Sequence, residues 1–260
     1  MDIGKLTSNV SFRRILDGLI LIWIILFLVD RFTPWLSNFD ASVLVSKYTE
    51  SEINHFANFA LSEGKLKKWK KDIKLKVIES SFMYSHTDSL TRQCVNLLNS
   101  FLDDIDINIV TEHQNVSVLS LDSIMHNRWG IGKTNESVFY IPFPLIKSGE
   151  IEIYIDNQHV DKINSIIHHE FGHILGFHHN LLVDYQSVFN PGPRKFLETD
   201  EGDRMVPSFD NYSELDKAAI RIMYDKDVGI DPGLTKRKFF RMIKKAKKEM
   251  GYEDPVVGGG

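Results

Sequence analysis

His169-Glu170-Phe171-Gly172-His173-Ile174-Leu175-Gly176-Phe177-His178-His179 is the stretch on which the reading of this chain turns. Written as H-E-x-x-H-x-x-G-x-x-H, it sets three imidazoles, one carboxylate and one glycine at fixed offsets. Residues four apart on a helix lie one above the other, so His169 and His173 face the same way. Two imidazoles one turn apart form half of a zinc site. Glu170 sits one step round the helix, close to a water on the metal without being a ligand itself. Gly176 falls where the helix must stop, since glycine enters the left-handed conformation without a Cβ clash. That turn swings His179 back as a third ligand and leaves the fourth position to water. His168 and His178 adjoin these ligands but do not fit the spacing.

Five fixed identities at these offsets arise by chance in roughly one in ten thousand sequences of this length, or fewer. In its full form the motif is the metzincin signature, and at these residues the chain resembles a metzincin protease, most nearly the matrixin-like branch. The resemblance implies an α+β, zincin-like fold: a mixed twisted sheet with an active-site helix and a C-terminal helix. It implies Zn2+ on His169, His173 and His179, with Glu170 as the catalytic base. A methionine turn under the metal is also implied, downstream of the third histidine. Met205-Val206-Pro207 follows a polar loop, whereas Met223 lies in a helical pattern from Ser213 to Tyr224. A tight turn favours Met205. In matrixins the strand before the metal helix is the sheet edge above the cleft. The alternating run Ile151-Glu152-Ile153-Tyr154-Ile155 occupies that place. It is expected to pair with extended substrate, an interior strand being the alternative. A second donor to the reaction's oxyanion is expected, and Tyr212 is one candidate.

Outward from the motif, the chain divides into four stretches. Residues 1–36 hold Arg13-Arg14, an unbroken apolar run from Gly18 to Val29, then Asp30-Arg31 and Trp35. Counted from Ile15 to Phe32, the run is long enough to span a bilayer if the flanking charges sit at the interfaces. No small-residue cleavage site follows, and the basic residues precede the run, which keeps the N-terminus cytoplasmic. This stretch reads as an N-terminal signal anchor, a single-pass transmembrane helix preceding the catalytic fold. A cleaved signal and a soluble core helix are the alternatives. Residues 37–72 read as a helical leader, opened by the capping box Thr49-Glu50-Ser51-Glu52. They end in a lysine run around Trp69 that reads as a solvated face, with anionic lipid the alternative partner. Residues 73–230 form the metzincin-like catalytic domain. Strands are expected at Ile73–Val77, Ile107–Val110, Val116–Leu121 and Val138–Phe143, with a loop between Asp122 and Glu136. A helix capped by Thr87 or Asp88 is expected to bury Cys94, and the metal helix to open near Val160 or Asp161. Residues 231–260 hold a basic amphipathic helix from Thr235 to Gly251, docked on the domain or lying on a membrane surface.

Loose motifs in the leader and around Ser187-Val188-Phe189-Asn190 also resemble an uncharacterised family of bacterial exported zincin-like proteins. The net charge of −4 offers no field for nucleic acid. A single cysteine, Cys94, rules out an intramolecular disulfide, and with no cysteine-bearing propeptide motif latency by a thiol on the metal has no support. His55, His86, His113, His126 and His159 have no ligand spacing and read as surface or loop residues. The expected function is zinc-dependent peptide hydrolysis on peptide or protein substrates outside the cytoplasm, in a periplasmic or extracellular setting. The alternative is a catalytically idle zinc-binding module that recognises a peptide or an envelope partner.

Overall fold

The computed structural model describes residues 15–25, 38–79, 81, 83–121, 130–136, 145–154, 162–180, 187–190, 196–197, 204–205 and 211–252. The chain divides into two compact units, Met1–Asn38 and Phe39–Gly260. In the first, residues 15–25 form helix α1, whose apolar side chains, Leu19, Ile22 and Trp23 among them, are exposed. Among the described residues no helix is long and apolar enough to cross a membrane, so the expected anchor helix is not seen.

The second unit opens with α2 (Ala41–Lys47), capped by the Asp40 carboxylate, and α3 (Glu50–Ala60). The capping box at Thr49 forms as expected: its side chain accepts from Glu52 N–H while Glu52 reaches back to Thr49 N–H. Ile53, Phe56, Ala57, Phe59 and Ala60 of α3 are buried. The strands are β1 (Ile73–Ile78), β2 (Ile107–Ile109), β3 (Val116–Leu121), β4 (Gly130–Glu136) and β5 (Ile146–Tyr154). They form one mixed sheet in the order β2-β1-β3-β5-β4, in which only the β4–β5 pair is antiparallel.

The sheet corrects the expected edge. β5 lies between β3 and β4, hydrogen-bonded on both sides, and β4, read as loop from its sequence, is the edge strand among the described residues. Alternation such as Ile151-Glu152-Ile153 reports a strand's two faces, whereas edge or interior position depends on its neighbours along the sheet. Gly130-Ile131-Gly132 has low intrinsic strand preference and forms a strand because β5 pairs with it through the backbone. The strand expected at Val138–Phe143 lies outside the described residues.

Helix α4 (Tyr84–Asn99) starts earlier than the expected cap. Ser81 Oγ accepts from Met83 N–H and turns the chain in, so Thr87 is buried inside the helix with Thr91, Cys94, Val95 and Leu98. The metal helix α5 runs over Ile163–Leu175, two residues later than expected at the nearest. β6 (Phe196–Leu197) and β7 (Arg204–Met205) form a separate antiparallel pair. Helix α6 (Glu214–Tyr224) carries its own capping box, Ser213 with Asp216. Helix α7 (Lys236–Glu249) is docked as expected, burying Phe239, Ile243 and Ala246, with the Phe239 ring 5.6 Å from Phe39 and 5.4 Å from Phe56. The lysine run before β1 is not a wholly solvated face. Trp69 is buried, and Lys68 is buried with its ammonium 2.9 Å from Asp104 and over the Tyr224 ring.

Candidate metal centre

Gly176 ends α5 at φ 103, where Gly176 N–H donates to His173 O and Phe177 N–H to Gly172 O, the paired bonds of a Schellman stop. A Cβ at this position would also collide with the Lys67 carbonyl oxygen, so only glycine fits. The helix's last carbonyls find buried donors: Trp69 Nε1–H on Ile174 O at 2.7 Å and the Tyr224 hydroxyl on Leu175 O at 2.9 Å. His178 N–H then donates to Phe59 O at 3.0 Å, which anchors the returning chain beside His179.

The three predicted ligands converge. His179 Nε2 lies 3.0 Å from both His169 Nε2 and His173 Nε2, and one ligand nitrogen from each residue fits within a 4.8 Å cluster. Two of the rings are oriented from behind. His169 Nδ1 donates to Val188 O at 2.5 Å and His173 Nδ1 to Phe177 O at 2.9 Å. A carbonyl only accepts, so both Nδ1 atoms carry the proton and both Nε2 lone pairs face the common point. Lone pairs aimed at one another repel unless a cation lies between them. Tetrahedral zinc with bonds of about 2.0–2.1 Å spaces its nitrogens about 3.3 Å apart, close to what these rings offer. Burial holds the His169 imidazole well below its ordinary value, reinforced by His173 and His179, and burial also lowers His173. His179, the most open of the three, is pushed down to about 4, first by desolvation and then by the His173 and His178 rings. All three are therefore neutral, as metal ligands must be.

Glu170 is buried beside them, 5% exposed. Burial pushes its carboxyl up to about 8, partly offset by a hydrogen bond from Gly132 N–H. β4 passes this close because it lacks side chains there. A Cβ on Gly130 would lie 2.7 Å from Glu170 Oε1. One on Gly132 would lie 2.9 Å from both Glu170 Oε2 and the Glu170 carbonyl oxygen, and 3.1 Å from His173 Cβ. Neither glycine stands out in the sequence; the G-x-G spacing inside an apparent loop is the one signal they leave.

Beneath the helix, residues 187–190 make a turn closed by Asn190 N–H on Ser187 O at 3.0 Å. Its Phe189 ring packs under Gly172, where a Cβ would lie 2.6 Å from Phe189 Cδ1, and stacks on Phe177 at 4.2 Å. Met205, expected on the turn under the metal, has its backbone in β7 opposite Phe196, and its side chain lies outside the described residues. Tyr212, one candidate for the oxyanion donor, is buried, and its hydroxyl donates to His168 O at 2.9 Å. His86 and His113 are exposed as expected, while His55 is not: its side chain is 9% exposed and hydrogen-bonded to Asp216. His126 and His159 lie outside the described residues.

No family model matches the chain, and no curated protein matches it. Among solved structures it is similar to that of myroilysin, at 13% identity and a TM-score of 0.40, over 64% of this chain and 98% of that one. It is also similar to high choriolytic enzyme 1 (HCE-1), a hatching enzyme zinc-protease from the medaka fish Oryzias latipes. There the identity is 17% and the TM-score 0.37, over 61% of this chain and 94% of the other. With scores of this size, what the chain does chemically rests on its own residues.

Proposed function

We propose that this protein is a zinc-dependent endopeptidase of the metzincin type. The observation that carries the reading is the convergence of three neutral imidazoles next to the buried carboxylate of Glu170, all from one helix and the turn that ends it. His169, His173 and His179 would hold the ion, and zinc so held makes water nucleophilic near neutral pH and polarises a carbonyl. Glu170 accepts the proton of the attacking water and returns it to the leaving amine. A cation on the histidines favours the ionised form that this role needs. Gly132 N–H holds the carboxylate in place meanwhile. An extended peptide adds along β4, whose outer edge pairs with no strand among the described residues. This strand takes the part first given to Ile151–Ile155. Placement in the matrixin-like branch rests on the histidine motif alone.

Attachment to a membrane through the segment from Ile15 to Phe32, with the catalytic unit outside the cytoplasm, belongs to the same proposal and rests on the apolar run and its basic flank. Alkaline carbonate extraction of membranes from expressing cells tests it, and release of the full chain into the wash overturns it.

For the chemistry, wild type and Glu170→Ala are assayed side by side for bound zinc and for cleavage of an unbiased peptide mixture. The expected result is zinc in both and cleavage by wild type alone, with turnover in the variant down at least about 100-fold. Zinc in both without cleavage by either would favour the idle binding module. A wild type without zinc would sink the reading.

A further inference from the structure

His55 lies 114 positions before the first histidine of the motif, yet it reaches the same structure. Its Nε2–H donates to Asp216 Oδ1 at 2.9 Å, joining α3 to α6. Asp216 is fully buried, and both of its oxygens are occupied. Oδ1 also accepts from Ser187 Oγ at 2.6 Å, while Oδ2 accepts from Val188 N–H at 3.2 Å, Ser213 N–H at 3.0 Å and Ser213 Oγ at 2.8 Å. Burial pushes the Asp216 carboxyl up, and the bonds from His55 and Ser187 more than offset this, so it is ionised at neutral pH.

What the carboxylate grips is the turn that orients a metal ligand. Val188 gives its N–H to Asp216 and its carbonyl to His169 Nδ1–H. The same turn is held through its ring: Phe189 lies between Phe177, stacked at 4.2 Å, and Phe59, at 5.7 Å, while His55 is 4.9 Å from Phe59 and 6.5 Å from Phe189. A ligand's partner on its second nitrogen sets its tautomer and ring direction, and losing such a partner weakens metal binding about 10–100-fold.

We propose that His55 and Asp216 are positioning residues of the metal centre, holding the Val188 carbonyl against His169. Helix α3 is thereby a permanent part of the working site and is not a leader that activation sheds. The inference rests on the metal-site reading of His169 given above.

The test strips metal from the full chain and titrates Zn2+ back against a chromophoric chelator, and it records the visible spectrum of the Co2+ form. His55→Phe keeps a ring in place and removes the donor, whereas His55→Gln can restore an N–H to Asp216. Ser187→Ala removes one donor from Asp216, together with the acceptor of Phe189 N–H at 3.1 Å in the same turn, and leaves both helices intact, which keeps the test decisive if Asp216→Asn fails to fold. The expected result is zinc affinity about 10–100-fold weaker with an altered Co2+ spectrum in Asp216→Asn and His55→Phe, a smaller loss in Ser187→Ala, and near-wild-type behaviour in His55→Gln. Wild-type affinity and an unchanged spectrum in His55→Phe and Ser187→Ala overturn the inference alone. A wild type that takes up no zinc overturns the endopeptidase reading, and this inference with it.

Discussion

At the residue scale, Gly132 is useful for the side chain it lacks. A methyl group there meets the Glu170 carbonyl oxygen and carboxylate, each at 2.9 Å, and the carbonyl belongs to helix α5 and cannot swing aside. Gly132→Ala must therefore displace β4 or Glu170, and a misplacement near 1 Å costs about 100-fold in rate. The expected outcome is a kcat lower by that order with bound zinc unchanged, read from steady-state kinetics and metal analysis of the same sample. An unaltered kcat would mean that Glu170 does not depend on the strand for its place. The histidines and Glu170 were legible because they sit on one helix and its stop, where spacing alone sets direction. Gly132 was not, because its meaning depends on a helix more than thirty positions further along the chain.

At the scale of elements, the metal helix is held at its C-terminal end by groups from distant segments. Trp69 Nε1–H is the buried donor to Ile174 O, and Trp69→Phe keeps most of the ring while leaving that carbonyl without it. The expected loss is about 1–3 kcal/mol in urea unfolding of the metal-free protein. The α3–α6 contact carries a pH signature. Asp216 has a folded pKa below its ordinary 3.8, so its contribution to stability is complete above that value and is lost as the pH falls through the folded value. Thermal unfolding of metal-free protein below pH 3.8 is thus expected to show a steeper loss of stability in wild type than in Asp216→Asn. Parallel curves would refute it. The capping box at Thr49 could be read locally, since it closes within four residues. That β4 and not β5 forms the edge could not, since strand order is a relation among segments.

At the scale of the whole molecule, Phe39–Gly260 is one unit, with the tail helix part of its core. Phe239 is fully buried against Phe39 and Phe56, so it joins the C-terminal helix to the start of the unit. Phe239→Ala is expected to cost about 3–5 kcal/mol through lost burial and the cavity left behind. Chemical denaturation followed by tryptophan fluorescence measures this. A loss under about 1 kcal/mol would mean that α7 is only loosely attached. The same packing predicts that residues 39 onward unfold in a single transition.

By itself the sequence determined the three histidines that converge, the carboxylate beside them, the glycine that stops their helix, and the helix cap at Thr49. All of these follow from the repeat of a helix and the chemistry of its ends, which act over a few residues. Only the tertiary structure decided that Gly130–Glu136 is the edge beside Glu170, that Phe189 lies on the turn beneath Gly172, and that His55 holds Asp216. Those facts depend on which distant segments share the core. A glycine, a phenylalanine or a histidine carries no mark of the neighbour it will meet, so the packing of α3, α6 and the sheet around α5 had to supply it.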